Sequence, residues 1–130
     1  MPPSISHLAY ILPKWAFTLI IATAAMLTVP PTIDIMPDGC QPIAFAMGIG
    51  LFMVAASPHY RTEATTLHNI GGWLAAIAAT LSVAITQPLL LLLWLAFIPL
   101  MRSGNRTFYA ECICALTVIA NIIIAYSDPS

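Results

Sequence analysis

Residues 67–101 read LHNIGGWLAAIAATLSVAITQPLLLLLWLAFIPLM and contain no charged side chain. A single α-helix of that length would extend roughly 50 Å at about 1.5 Å per residue, whereas a membrane's hydrocarbon core is about 30 Å thick. The stretch breaks at the TQP of residues 86–88, and a proline suits the first turn of a new helix. It therefore predicts two membrane spans, at about 67–86 and 89–101, joined by a tight hairpin.

The rest of the chain is also strongly apolar. Of its 130 residues, 60% are hydrophobic and only 7% are charged, whereas a soluble domain is nearer 25% charged. This composition predicts an all-α integral membrane protein whose single transmembrane domain covers residues 1–130. Four basic and five acidic residues leave a net charge of -1, so no basic field exists for nucleic acid to bind.

Three further apolar segments predict three more spans, at about 15–29, 42–56 and 108–126. The first is expected to stop at Pro30-Pro31, because proline lacks the backbone donor that an α-helix needs. The fold class expected from the sequence is therefore a compact bundle of five transmembrane helices.

The basic residues predict an orientation. They are Lys14, Arg61, Arg102 and Arg106, and five spans would place all four on one side of the membrane. The positive-inside rule assigns that side to the cytoplasm. We therefore expect a plasma (inner) membrane protein with its N-terminus in the cytoplasm and its C-terminus outside. Four spans would separate the arginines across the bilayer.

Small residues indicate which helix faces pack together. In lipid, helices associate through close contacts of Gly, Ala, Ser and Thr and through interhelical hydrogen bonds. Spans two, three and five carry such positions and are expected to form the centre, with the leucine-rich fourth span at the periphery. The expected packing positions are Gly48, Gly72, Ala75, Ala79 and Ala115. Asn121, deep in the fifth span, is expected to form an interhelical hydrogen bond.

Titratable residues collect towards the expected cytoplasmic side. The candidates for a polar cluster there are Lys14, His59, Glu63, His68 and Glu111. Glu111 lies about one turn inside the fifth span, and an ionisable group in a membrane span is a functional-site hypothesis by default. The structural alternative is an ion pair with Lys14 or Arg106, or a hydrogen bond to His68. The spans predict that His68 and Glu111 approach within direct or water-mediated contact.

Three functions remain compatible with the sequence. The favoured one is a non-catalytic interaction, scaffold or accessory subunit without a cofactor, whose partners are the lipid bilayer and other membrane subunits or further copies of itself. The second is a membrane-embedded hydrolase with zinc on His59, His68 and Glu111, although their spacing matches no metal motif. The third is an oligomeric transporter or channel in which Glu111 and Asn121 line the path. No catalytic residue is assigned.

Overall fold

The computed structural model describes residues 5, 7, 10–57, 65–102 and 104–127. The described part is all-helical, which confirms the all-α part of the expected fold class, and it contains five helices in the expected order. These are α1 (Lys14–Ile35), α2 (Gln41–Ala55), α3 (Thr65–Thr86), a 3-10 helix (Pro88–Leu100) and α4 (Arg106–Ser127). The break at residues 86–88 separates α3 from the 3-10 helix.

The first helix is longer than the sequence predicts. The expected end at Pro30-Pro31 is wrong, because α1 continues through both prolines to Ile35. The two prolines remove the amide donors that the Met26 and Leu27 carbonyls would otherwise accept. On either side of these carbonyls, the Thr28 hydroxyl donates to the Ala24 carbonyl and the Thr32 hydroxyl to the Thr28 carbonyl, each at 2.7 Å.

The fourth helix is a 3-10 helix of 13 residues. A 3-10 helix rises about 2.0 Å per residue, so this segment reaches about 26 Å, against about 20 Å if it were an α-helix. From Leu91 onward its half-buried residues recur every three positions, at Leu91, Trp94, Phe97 and Leu100, which matches three residues per turn, and Leu90 is half-buried as well. None of its residues is fully buried, so this helix lies at the edge of the bundle.

The closest helix pair is α2 with α3, and two glycines make the approach possible. A Cβ atom at Gly50 would lie 2.5 Å from the Ala75 backbone nitrogen, and one at Gly71 would lie 2.8 Å from the Gly50 carbonyl oxygen. The two backbones are therefore in direct contact. On its other side α2 meets α1, where Gly48 faces the side chain of Val29.

The expected packing positions are only partly those that the structure uses. Ala75 and Ala79 are buried, as is Gly48. Gly72, in contrast, has open space where a Cβ would be, and its neighbour Gly71 makes the contact with α2. Adjacent helix positions point about 100° apart, so only one of the two glycines can face α2. Ala115 is exposed, and α4 buries Ile113, Thr117, Val118 and Asn121 instead.

Contacts near the helix ends show the directions of the long helices. Tyr126, near the end of α4, donates a 2.7 Å hydrogen bond to Asp34, near the end of α1. Thr86, the last residue of α3, contacts Asn121 in the second half of α4. Helices α1, α3 and α4 therefore run in the same direction, and α2 and the 3-10 helix run back between them.

We expect Gly71→Ala to destabilise the fold by about 1–3 kcal/mol, the usual range for overpacking, because the new methyl would meet backbone atoms of α2 that cannot move aside. Unfolding by increasing SDS fraction in mild detergent micelles, followed by circular dichroism, measures this free energy.

The matched control is Gly72→Ala, one residue along the same helix. Its methyl enters open space, so the variant should be as stable as the parent or gain up to about 1 kcal/mol from helix propensity. Equal losses in the two variants would contradict the glycine contact.

Candidate functional site

The C-terminal end of α2 is buried between α1 and α3. Ala55 and Ser57 are each 2% exposed. The last four carbonyls of an α-helix have no partner within the helix, and a buried polar group without a hydrogen bond is costly. Neighbouring helices provide the donors here: the Thr18 hydroxyl of α1 donates to the Ala55 carbonyl at 2.7 Å.

His68 supplies the second donor at this helix end. Its Nδ1 lies 2.8 Å from the Ser57 carbonyl oxygen and 3.3 Å from the Ser57 hydroxyl. Because a carbonyl only accepts, Nδ1 carries the hydrogen. The Ser57 hydroxyl in turn donates to the Met53 carbonyl at 2.6 Å. The buried imidazole therefore joins the start of α3 to the end of α2.

Glu111 is half-buried near the start of α4, and its carboxylate accepts a hydrogen bond from the backbone nitrogen of Ile5. That contact ties the segment before α1 to α4. The carboxylate thus serves to hold two distant parts of the chain together, since 106 positions separate the two residues.

The structure describes no direct hydrogen bond between His68 and Glu111, and the expected polar cluster as a whole stays a prediction. His68 bonds Ser57 and Glu111 bonds Ile5, so the hydrogen bonds described for the two residues go to different partners. Lys14 is exposed at the start of α1. His59 and Glu63 lie outside the described residues. His59 is one of the three ligands of the zinc alternative, so that set is not described in full. Among the described residues, no three His, Cys, Asp or Glu side chains lie together as a metal site would require.

A buried polar row joins α3 to α4 at the opposite end. Asn121 is 1% exposed, and its Oδ1 lies 2.9 Å from the Thr86 hydroxyl, so it makes the interhelical hydrogen bond that its position predicts. The Thr86 hydroxyl also lies 2.7 Å from the Ser82 carbonyl. Further towards the start of α3, the Thr80 hydroxyl donates to the Ala76 carbonyl at 2.8 Å and lies near the Cys114 side chain of α4. These groups fix the depth at which the two helices pack.

Two apolar grooves open on the outside of the bundle. The larger, of about 420 Å³, lies between α3, the 3-10 helix and α4, and its lining residues are Trp73, Phe97, Met101, Arg106, Thr107 and Ala110. The smaller, of about 340 Å³, lies between α1 and α4 and is lined by Ala24, Leu27, Thr28, Ile119, Ile122 and Ile123. Sequence reasoning missed both grooves. The sequence suggested Arg106 as an orienting charge and as a possible ion-pair partner of Glu111, and not as part of a groove.

Comparison with protein-family models, with curated proteins and with solved structures finds no match. Any functional conclusion therefore has to come from the geometry of the described residues. In that geometry His68, Glu111 and Asn121, the residues nominated for chemistry, each join separate segments of the chain.

We expect His68→Ala to lower the free energy of unfolding by about 1–3 kcal/mol, because it leaves the buried Ser57 carbonyl without its donor. The same SDS titration measures it. Asn69→Ala, at the exposed neighbouring position, should change stability by no more than about 0.5 kcal/mol. A His68→Ala chain as stable as the Asn69→Ala chain would show that the histidine does not hold the end of α2.

Proposed function

We propose that this chain is an integral membrane protein of five crossings that acts as a non-catalytic interaction or accessory subunit. The observation that supports the membrane setting most strongly is the distribution of side chains. After Phe17 and Val83, the largest fully buried side chains are the polar Asn121, Thr32, Thr117 and Ser82, whereas large apolar residues face outward on every helix. Soluble proteins bury such residues, and packing by small and polar groups is typical of helices in lipid.

Three helices have the length and composition to cross a bilayer. These are α1, α3 and α4, each of 22 residues and each with an apolar 18-residue window. At about 1.5 Å per residue each extends about 33 Å, close to the thickness of a hydrocarbon core.

The two shorter helices follow from the directions of the long ones. Because α1, α3 and α4 run in parallel, the chain has to return across the same thickness after α1 and again after α3. Helix α2, with 15 residues, covers about 22 Å of the first return, and the 3-10 helix covers about 26 Å of the second. Local thinning of the bilayer and polar flanking residues accommodate the difference. Five crossings therefore fit the fold better than three.

The charges support the orientation expected from the sequence. Lys14, Arg102 and Arg106 lie at the end where α1 and α4 begin, and Arg61 lies outside the described residues. Asp34 and Asp38 lie towards the opposite end. Under the positive-inside rule the basic end faces the cytoplasm, which places the C-terminus outside, in the plasma (inner) membrane.

The subunit role rests on what the polar residues do. The hydrolase and transporter alternatives would use His68, Glu111 or Asn121. The contacts described for these residues join α3 to α2, α4 to the segment before α1, and α4 to α3. Contacts of this kind stabilise a fold, and they favour a protein whose outer surface, rather than an internal site, carries the function.

The subunit role is tested by the size of the species that the chain forms in its own membrane. We expect cross-linking in intact membranes at low expression to give a product larger than the 14.0 kDa monomer. Ala115 is the expected packing position that this chain leaves exposed, so Ala115→Leu should weaken the product if a second membrane helix packs there.

The control for that experiment is Ala96→Leu, which adds the same side chain at an exposed position of the 3-10 helix. It should leave the cross-linked product unchanged. A chain that stays monomeric in its membrane, or that holds stoichiometric zinc until His68 is replaced, would contradict the subunit role.

A further inference from the structure

The larger groove combines an apolar interior with a positive charge at its mouth. Trp73 and Phe97 form its aromatic walls, Met101 and Ala110 continue the apolar lining, and Arg106 stands at the basic end of the bundle. Trp73 is 71% exposed, so its ring is accessible from outside the bundle and is not occupied in packing. A volume of about 420 Å³ is within the usual range of small-molecule sites, about 300–1,000 Å³.

The charge at this mouth is not balanced within the described part of the chain. Arg102 and Arg106 are both exposed, and neither makes an ion pair with a described acidic residue. The nearby carboxylate of Glu111 accepts its hydrogen bond from Ile5. Arg106 is also the first residue of α4, where the helix dipole adds to its positive charge instead of offsetting it.

These features specify the chemistry of the occupant. An apolar groove between membrane helices suits an acyl chain, and an arginine at the level where the helix begins suits the phosphate of a lipid headgroup. A free anion would satisfy the arginine but would leave the aromatic walls without a partner. A zwitterionic phospholipid would fill the groove and offer the same phosphate, but its own cation would leave the positive charge of the arginines unbalanced.

We propose that this groove binds one anionic phospholipid, with its phosphate on Arg106 and an acyl chain between Trp73 and Phe97. The inference rests on the membrane setting proposed above. It adds a specific lipid partner at the cytoplasmic face and a role for Arg106 beyond orientation.

The test is lipid retention by the full-length chain. Wild-type protein is purified in mild detergent, incubated with equal amounts of phosphatidylglycerol and phosphatidylcholine, and measured by native mass spectrometry. We expect one phosphatidylglycerol to be retained in preference to phosphatidylcholine. Arg106→Gln should lower that preference roughly fivefold, the factor expected for one basic residue near an anionic surface.

Two further variants separate the contribution of the Arg106 charge to lipid retention from that of the groove's shape. Lys14→Gln removes a basic residue at the same end but away from the groove, and it should keep the wild-type preference. Ala110→Leu fills the groove and leaves Arg106 in place, so it should lower the retention of phosphatidylglycerol while the chain stays as stable as wild type. An unchanged preference in Arg106→Gln, or full retention in Ala110→Leu, would overturn the proposal.

Two controls distinguish lipid binding from the binding of a simple anion, and the lipid proposal from the membrane setting. Inorganic phosphate at millimolar concentration should not displace the lipid, and displacement by phosphate would reduce the site to a simple anion site and overturn the proposal. Resistance of the wild-type chain to alkaline carbonate extraction reports the membrane setting separately. A chain that resists extraction but shows no lipid preference overturns the lipid proposal alone, whereas a chain that is extracted overturns both.

Discussion

The backbone contact between Gly50 and Gly71 is the constraint on which the rest of the fold depends. With no side chain at either position, α2 and α3 approach until their backbone atoms touch. This approach buries the C-terminal end of α2, whose carbonyls then need donors from outside the helix. Thr18 from α1 donates to the Ala55 carbonyl, and His68 from α3 donates to the carbonyl of Ser57 just beyond the helix, so one close contact determines the position of three helices.

The parallel arrangement of the three long helices sets the second constraint. The two helices that run back, α2 and the 3-10 helix, each have to cover nearly the length of a 22-residue helix with fewer residues. The 3-10 conformation of Pro88–Leu100 is one solution, because its larger rise per residue stretches 13 residues to about 26 Å. It also turns every third side chain towards the bundle, so that Phe97 lines the groove together with Trp73 and Ala110.

The sequence predicts the features that depend on local chemistry. The charge-free stretch with its single break gives the hairpin, the apolar segments give the five helices, and the depth of Asn121 gives its interhelical bond. It does not distinguish Gly71 from Gly72, because both are small and the choice depends on where α2 lies. The 3-10 helix has no clear local signal either, since leucine fills five successive positions and hides the three-residue period.

The candidate site could be predicted only as a list of residue types. His68 and Glu111 share an end of the bundle, but their partners are Ser57, which depends on how α2 ends, and Ile5, which lies far away in the sequence from Glu111. Neither partner follows from periodicity or spacing. The groove at Arg106 likewise depends on three helices meeting, and no single segment of the sequence carries its pattern.

The central claim is that α2 and the 3-10 helix cross the membrane together with the three long helices. Single cysteines at Gln87 and Gly104, in a chain whose Cys40, Cys112 and Cys114 are replaced by serine, test it with a membrane-impermeant maleimide. Five crossings predict that Gln87→Cys is labelled from outside intact cells and Gly104→Cys only in inverted vesicles. Labelling of both cysteines from the same side would show that the 3-10 helix does not cross, and would contradict the account.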